Sequence, residues 1–277
     1  MGFELWYSET SKISRKGTTF GELQNIFIDN ITTKFIYEPL ACCKIFDNLI
    51  EVKQILDDRD FDTLGVVDEN ENKIGYIIHH DLKDGEISNY LRSFEPSLLI
   101  SDSTPISDLL DILSEKEYVY VLDKNSIEGI VTRADINKPI VRIYLFGIIS
   151  LFELHLNYWI KKNHEEREWL EILPENRKMA AQAIYEQRKG KNSQLTLLEC
   201  IQFCDKKTIL TKTNLFLETF QYTKNKFKDI LENSEKIRNE LAHSQNSIIA
   251  NLDWKDFVMT ISSLKEFLDK SEKTIKI

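Results

Sequence analysis

Two segments of this chain, Gly75-Tyr-Ile-Ile-His-His-Asp81 and Gly129-Ile-Val-Thr-Arg-Ala-Asp135, align without a gap, and the pattern around them recurs with them. Before the first copy come a helix carrying Leu49, Val52, Ile55 and Leu56, a β-rich run Thr63-Leu-Gly-Val-Val-Asp, a turn cluster Glu69–Lys73 and a second run from Ile74. Before the second come a helix opened by Thr104-Pro105 with Ile106, Leu109, Leu110 and Leu113, then the strand Tyr118-Val-Tyr-Val-Leu-Asp, the turn Lys124-Asn-Ser and a strand from Ile127. A duplication of this kind constrains the first half of the chain to two copies of one unit: strand, helix, strand, strand and a following helix.

Near Pro139 the hydrophobic period changes and only helices are predicted. Val141–Ile160 is apolar almost all round, Glu175–Lys189 stops at Gly190, and a run from Leu195 to Phe203 keeps apolar spacing. One long helix is expected from Thr213 to Leu241 and another over Asp253–Lys270, a bundle of four to six helices in all. The fold class is therefore α+β, an α/β repeat followed by an all-α bundle. Residues 1–34 read as an extension, 35–140 as the pair and 141–277 as the bundle.

Charge divides the chain at the same place. Residues 1–140 hold 14 Lys+Arg against 26 Asp+Glu, while 141–277 hold 22 against 19, for a net of -9. The acidic half should repel a polyanion and the second half tolerate one. Nine glycines and five prolines exclude collagen-like and Pro/Gly-rich disordered classes. Four cysteines in 277 residues do not make a disulfide scaffold. The start Met-Gly-Phe-Glu-Leu-Trp lacks the basic and apolar run of a signal peptide, and the apolar stretch Tyr144–Leu156 is too short to span a bilayer, so the expectation is a cytoplasmic chain without membrane contact.

Residues 35–140 resemble a tandem pair of CBS domains, and Gly129–Asp135 matches the signature that ends such a domain. The resemblance implies a module for adenosine-containing ligands such as AMP, ATP or S-adenosylmethionine. Asp135 then receives the ribose hydroxyls and Thr132 the phosphate, with Arg133 beside it and Ser103 and Thr104 adding donors at a helix opening. The residue types suit those tasks, because a carboxylate accepts two hydroxyl hydrogen bonds and a hydroxyl next to a guanidinium can meet a phosphate. The first copy keeps Asp81 but has Ile78 where Thr132 stands, so one occupied site per chain is expected.

In the bundle, Ile237-Arg238-Asn239-Glu240-Leu241-Ala242-His243 resembles the signature of HEPN domains, helical bundles many of which are metal-independent endoribonucleases of toxin–antitoxin, antiphage and other stress-response systems. The resemblance assigns Arg238, Asn239 and His243 to catalysis. It adds Glu153, an acid in the nearly all-apolar helix, as a companion that binds Arg238 or the site. Imidazole, with an ordinary pKa of about 6.5, can move a proton at neutral pH. A guanidinium can stabilise the pentacovalent phosphate. Single-stranded RNA would be cut to a 2′,3′-cyclic phosphate and a 5′-hydroxyl without a catalytic cofactor. Arg238 and His243, five residues apart, lie about 140° apart around a helix. Either the helix ends near His243, where Ser244-Gln-Asn favours a stop, or two chains supply the pair across a two-fold axis; the resemblance implies a homodimer.

Two other readings stand beside this one. The first is a catalytically silent regulatory or scaffold protein whose bundle binds RNA or a protein partner. The second is a toxin-like component held off by a separate neutralising protein. Cys200 and Cys204, one helical turn apart, read as core thiols rather than metal ligands.

Overall fold

The duplicated unit of the sequence is built twice, and the two copies exchange their entering strands. In the computed structural model, residues 7–8, 13–14, 18–165, 167–191, 195–243 and 247–275 are described. The chain divides into Phe27–Lys138 and a second unit of Met1–Ile26 with Pro139–Ile277. A short antiparallel pair, β1 (Tyr7–Ser8) and β2 (Ile13–Ser14), is followed by α1 (Phe20–Asn30).

The Phe27–Lys138 unit continues with β3 (Glu38–Pro39), β4 (Cys42–Lys44), α2 (Leu49–Arg59), β5 (Thr63–Val67) and β6 (Lys73–Ile78). The second copy holds β7 (Leu99–Ser101), α3 (Ile106–Glu115), β8 (Tyr118–Asp123) and β9 (Ser126–Thr132). In each copy the helix crosses between parallel strands, β4 to β5 and β7 to β8, and a tight turn returns an antiparallel third strand. α2 starts where the Asn48 side chain accepts from Ile50 N at 2.8 Å and stops at Asp60, whose φ of 53° is left-handed. The following helix expected in each copy is only a 3₁₀ turn, His79–Asp81 in the first and Arg133–Asn137 in the second.

β3 pairs with β9 of the second copy, with Glu38 opposite Ile130 and Pro39 opposite Gly129. Correspondingly, Arg92 of the connector bridges Tyr76 of β6. The repeat's glycine follows from these crossings. A Cβ at Gly75 would run into the Arg92 carbonyl, and one at Gly129 into the Tyr37 ring and, at 2.8 Å, the Glu38 carbonyl oxygen. Leu40, Tyr76, Ile78 and Tyr120 form a buried cluster shared by the copies, where the Thr63 and Tyr120 hydroxyls lie 2.8 Å apart.

The helical unit comprises α4 (Pro139–Asn163), α5 (Glu175–Lys189), α6 (Phe203–Leu210), α7 (Asn214–Phe220), α8 (Lys224–Ala242) and α9 (Trp254–Ile275), joined by residues Phe20–Ile26 of α1. α4 packs on α6, α7, α8 and α9. The core is aromatic: Phe152 stands edge-on to Phe267 at 5.0 Å, and Phe216 lies 4.9 Å from both Phe220 and Phe227. The division differs from the one expected from sequence in that residues up to Ile26 group with the helices rather than forming a separate extension. Their tie is Glu272, whose carboxylate accepts from Phe20 N at 2.5 Å and so caps the start of α1.

Two helical expectations need correction. The helix expected over Thr213–Leu241 is broken, because Gln221 turns left-handed (φ 58°) after α7 and the Thr223 hydroxyl accepts from Lys226 N to start α8. The break lets Tyr222 stack on Phe227 at 5.2 Å. The run Leu195–Phe203 is a 3₁₀ turn, Leu197–Cys200, ahead of α6. In addition, α4 is longer than the apolar stretch suggested. Its 25 residues are long and apolar enough to cross a bilayer by length and composition, but half of that apolar window is buried inside this unit.

His155 shows why α4 continues through polar residues. It is fully buried, its Nδ1 lies 2.7 Å from the Ser271 hydroxyl, and Trp159 Nε1 donates to that same hydroxyl at 2.6 Å. Burial lowers its pKa to about 4. The unfolded chain, with an ordinary value of 6.5, therefore binds the proton first, and stability falls as pH drops from about 6.5 toward 4, by about 3 kcal/mol. Glu272, 3.9 Å from His155 Nε2 and raised by burial, acts in the opposite sense. Urea unfolding from pH 7.5 to 4.5, with His155→Gln beside the parent, isolates the imidazole: the steep acid loss is expected to flatten in the variant.

Candidate functional site

In the second copy, four residues converge where β9 ends and β3 enters. Thr132 N and Oγ1 donate to Asp135 Oδ2 at 2.7 and 3.2 Å, and Thr132 Oγ1 accepts from Ala134 N at 3.2 Å. This reciprocal cap starts the 3₁₀ turn and holds Asp135 nearly buried, 7% exposed. The other carboxylate oxygen meets Lys138 Nζ at 3.0 Å, and the ammonium also reaches Glu38 Oε1 at 2.5 Å and the Ile36 carbonyl. Burial pulls the Lys138 pKa down, but its hydrogen bonds to Glu38 and Asp135 outweigh that and hold it above the usual lysine value. Arg133 turns away, its Nε donating to the carbonyls of Leu113 and Lys116 at the end of α3.

Ser103 and Thr104 are not brought to this cluster. Thr132 pairs with Tyr118, whereas Ser101 pairs with Leu122, four residues along the same strand and so about 13 Å away. Ser103 Oγ lies 2.7 Å from Ser101 Oγ, and the Thr104 carbonyl accepts from Thr33 N and Oγ1. The reason is topological: α3 begins at the end of β7 opposite to the one where β9 finishes.

The equivalent place in the first copy has different chemistry. Asp81 takes Arg92 Nη2 at 2.5 Å and His80 Nε2 at 3.4 Å, while His79 Nε2 meets Asp57 at 3.1 Å. Arg92 stands 54 residues after Glu38, just as Gly129 stands 54 after Gly75, so a guanidinium occupies on one crossing strand the position a carboxylate occupies on the other. Sequence reading missed Glu38, Arg92 and Lys138. The repeat offset could have found the first two, and the three-residue spacing from Asp135 the third.

In the helical unit, the motif residues gather at the C-terminal end of α8. The helix ends at Ala242 and His243 is its cap; Ser244-Gln-Asn lies outside the described residues. Arg238, Asn239 and His243 are exposed, while Ile237, Glu240 and Leu241 are buried in the bundle. Arg238 Nη1 donates to Asn239 Oδ1 at 3.3 Å. Arg142 of α4 donates to the Glu240 carbonyl at 2.9 Å, and Asn251 Nδ2 to the buried Glu240 carboxylate at 2.5 Å, so the helix end is tied down from two sides.

Glu153 is placed differently from the expectation. Its carboxylate pairs with Lys206 Nζ at 2.6 Å, and among the described residues no contact joins it to Arg238. Lys206, on α6, is 2% exposed. Burial lowers its pKa, the Glu153 carboxylate opposes the shift, and the Arg238 guanidinium adds to it. Asp205 beside it holds Arg177 through two 2.7 Å hydrogen bonds. Among the described residues no cluster of three His, Cys, Asp or Glu side chains could hold a metal ion. Cys200 and Cys204 are free thiols, Cys200 buried and Cys204 half-buried.

Comparison with known proteins identifies one part of the chain. Residues 92–142 form a CBS domain by their match to that family's model, a span covering β7 to β9 and the start of α4. The chain also resembles solved structures of CBS proteins. CBSX2 of Arabidopsis thaliana, in complex with AMP, is 20% identical over 40% of this chain and 97% of its own, with a TM-score of 0.35. The CBS domains of a transcriptional regulator from Streptococcus pneumoniae are 19% identical over 39% and 98%, at 0.34. The CBS pair of protein MJ0100, in complex with 5′-methylthioadenosine and S-adenosyl-L-methionine, is 22% identical over 38% and 91%, at 0.33. No curated protein matches the chain.

Proposed function

We propose that this chain is a nucleotide-responsive, metal-independent endoribonuclease, in which a CBS pair senses an adenine nucleotide and a HEPN-type bundle cleaves single-stranded RNA as a homodimer. The observation that carries the proposal is the end of α8, where Arg238, Asn239 and His243 are all presented to solvent on a helix terminus fixed by Arg142 and Asn251. In this reading His243 takes the proton of the 2′-hydroxyl as its oxygen attacks the adjacent phosphate; the P–O5′ bond breaks, the 5′-oxygen leaves with a proton from water, and a 2′,3′-cyclic phosphate and a 5′-hydroxyl result. Arg238 binds the charge that develops there, and Asn239, hydrogen-bonded to Arg238, orients it. Termination of the helix at His243 frees the imidazole from the 140° offset, and a second copy completes the cleft.

The ligand side rests on the CBS domain at residues 92–142 and on the Thr132–Asp135–Lys138 cluster. The ligand class, an adenosine compound, is that of the CBSX2 and MJ0100 complexes. Asp135 keeps an acceptor site for a ribose hydroxyl, and a phosphate arriving beside it would take the Lys138 ammonium from its Glu38 and Ile36 partners. Lys138 is followed directly by Pro139, the first residue of α4, whose Arg142 holds the end of α8; the chain itself thus runs from the ligand cluster to the helix that secures the motif. A ligand regulates cleavage to the extent that it binds two arrangements of the chain with different affinity.

The test is incubation of the purified chain with mixed single-stranded RNA in EDTA, alone and with AMP, ATP or S-adenosylmethionine. Cleavage to cyclic-phosphate ends, changed by one of the three, is the expected result. No cleavage under any of these conditions overturns the enzyme reading and leaves a binding module. Binding is read separately as thermal stabilisation: a ligand at a hundred times its Kd adds about 2.7 kcal/mol. Asp135→Asn, which weakens the ribose acceptor, is expected to remove that shift, and an undiminished shift would place the ligand elsewhere.

A further inference from the structure

We infer that Lys206 is a positioning residue for the proposed reaction, whose buried ammonium claims the Glu153 carboxylate and so keeps Arg238 free to receive an RNA phosphate. The inference rests on the RNA-cleaving reading and adds to it a residue no motif contains.

Three helices meet around this lysine. α6 packs on both α4 and α8, and α4 packs on α8. Glu153 projects from α4, Lys206 from α6 and Arg238 from α8. Lys206 makes a 2.6 Å ion pair with Glu153 and is almost wholly buried, while the Glu153 side chain keeps 30% of its surface exposed. Arg238 is exposed and, among the described residues, donates a hydrogen bond to neutral Asn239. Lys206 lies within the electrostatic reach of the guanidinium, which acts on it as a like charge.

The physical consequence concerns competition for one carboxylate. A guanidinium paired with a carboxylate in a fork geometry has its donors occupied and its charge neutralised, and binds phosphate poorly. A lysine held in the helix junction satisfies the carboxylate from the buried side, where desolvation strengthens the pair, and the guanidinium keeps a full charge at the surface. Loss of the ammonium leaves Glu153 without its counter-charge, and Arg238 is a cation within electrostatic reach of the same helix junction.

The test uses the full chain and two readouts. The first is modification of Arg238 by phenylglyoxal, followed by mass spectrometry of its peptide; it needs no RNA. Lys206→Met is expected to slow that modification about two- to fivefold, the range of a part-exposed ion pair, and adding Glu153→Gln is expected to restore the parent rate. The second readout is kcat/KM for RNA, expected to fall in Lys206→Met and to recover in the double variant, although the lysine remains absent in both. Unchanged modification in Lys206→Met overturns the inference, as does a loss that the double variant does not restore, which would make Lys206 a packing residue alone. If Lys206→Met does not unfold cooperatively, the comparison is the double variant against Glu153→Gln: equal modification of Arg238 is expected, and a difference overturns the inference. The expected modification pattern in a chain that cuts no RNA would uphold the role of Lys206 and refute the RNase reading.

Discussion

His243→Ala is expected to lower RNA cleavage in EDTA by about 10²- to 10⁴-fold, the usual worth of a general acid–base group. Arg238→Ala is expected to cost about 10²- to 10³-fold through the lost stabilisation of the phosphorane charge. Both side chains are exposed, so neither variant should change stability by more than about 0.5 kcal/mol, and cleavage can be compared at equal folded fraction. Residual activity equal to the parent in His243→Ala would assign the cleavage to another residue or another protein. The pair also reports on assembly. If Arg238 of one chain and His243 of the other form each site, mixing the two inactive variants regenerates one intact cleft in a mixed dimer, and activity returns. If both residues act within one chain, the mixture stays inactive.

Gly75→Ala should be among the most destabilising single-methyl changes in the Phe27–Lys138 unit, at about 3 kcal/mol. The added Cβ would meet the Arg92 carbonyl and, at 2.7 Å, the Leu91 side chain. A carbonyl in a ladder cannot turn aside, because Arg92 O accepts from Tyr76 N at 2.9 Å and Arg92 N donates to Tyr76 O at 2.8 Å. The methyl must therefore push the crossing segment off β6 and open the buried cluster of Tyr76, Ile78 and Tyr120. Gly190→Ala is the control. It has open space at its Cβ and φ near −65°, so it is expected to be neutral or to stabilise by about 0.5–1 kcal/mol. Urea unfolding of the three proteins measures both. A cost at Gly75 below about 0.5 kcal/mol would mean that the connector, rather than the strand, yields at this crossing.

The contrast between these two glycines marks how far local reading reaches. Both repeat glycines were visible as a pattern, yet neither turns with positive φ; each is a glycine because another strand's backbone lies on it, and that strand comes from the other copy. The motif residues Arg238, Asn239 and His243 were legible for the opposite reason. They sit on one helix, so their mutual placement follows from helical geometry and the point where the helix stops. Glu153 was legible as an acid that needs a partner in an apolar helix, but its partner is Lys206, 53 residues away on α6. No periodicity links the two, because the ion pair exists only through the packing of α4 on α6.

The same rule separates what the sequence by itself determined from what only the tertiary structure decided. Short-range chemistry determined the duplication, the period change at Pro139, the two hairpin strands of each copy, the start and stop of α5, and the residues at the end of α8. These depend on interactions between neighbours in the chain, a few residues apart. Tertiary packing decided the exchange of β3 between copies, the Arg92–Asp81 and Lys138–Asp135 pairs, the break at Gln221 that stacks Tyr222 on Phe227, and the capture of Glu153 by Lys206. Each of these needs two segments far apart in sequence to meet. Which segments meet is set by burial of the whole apolar surface rather than by any local preference.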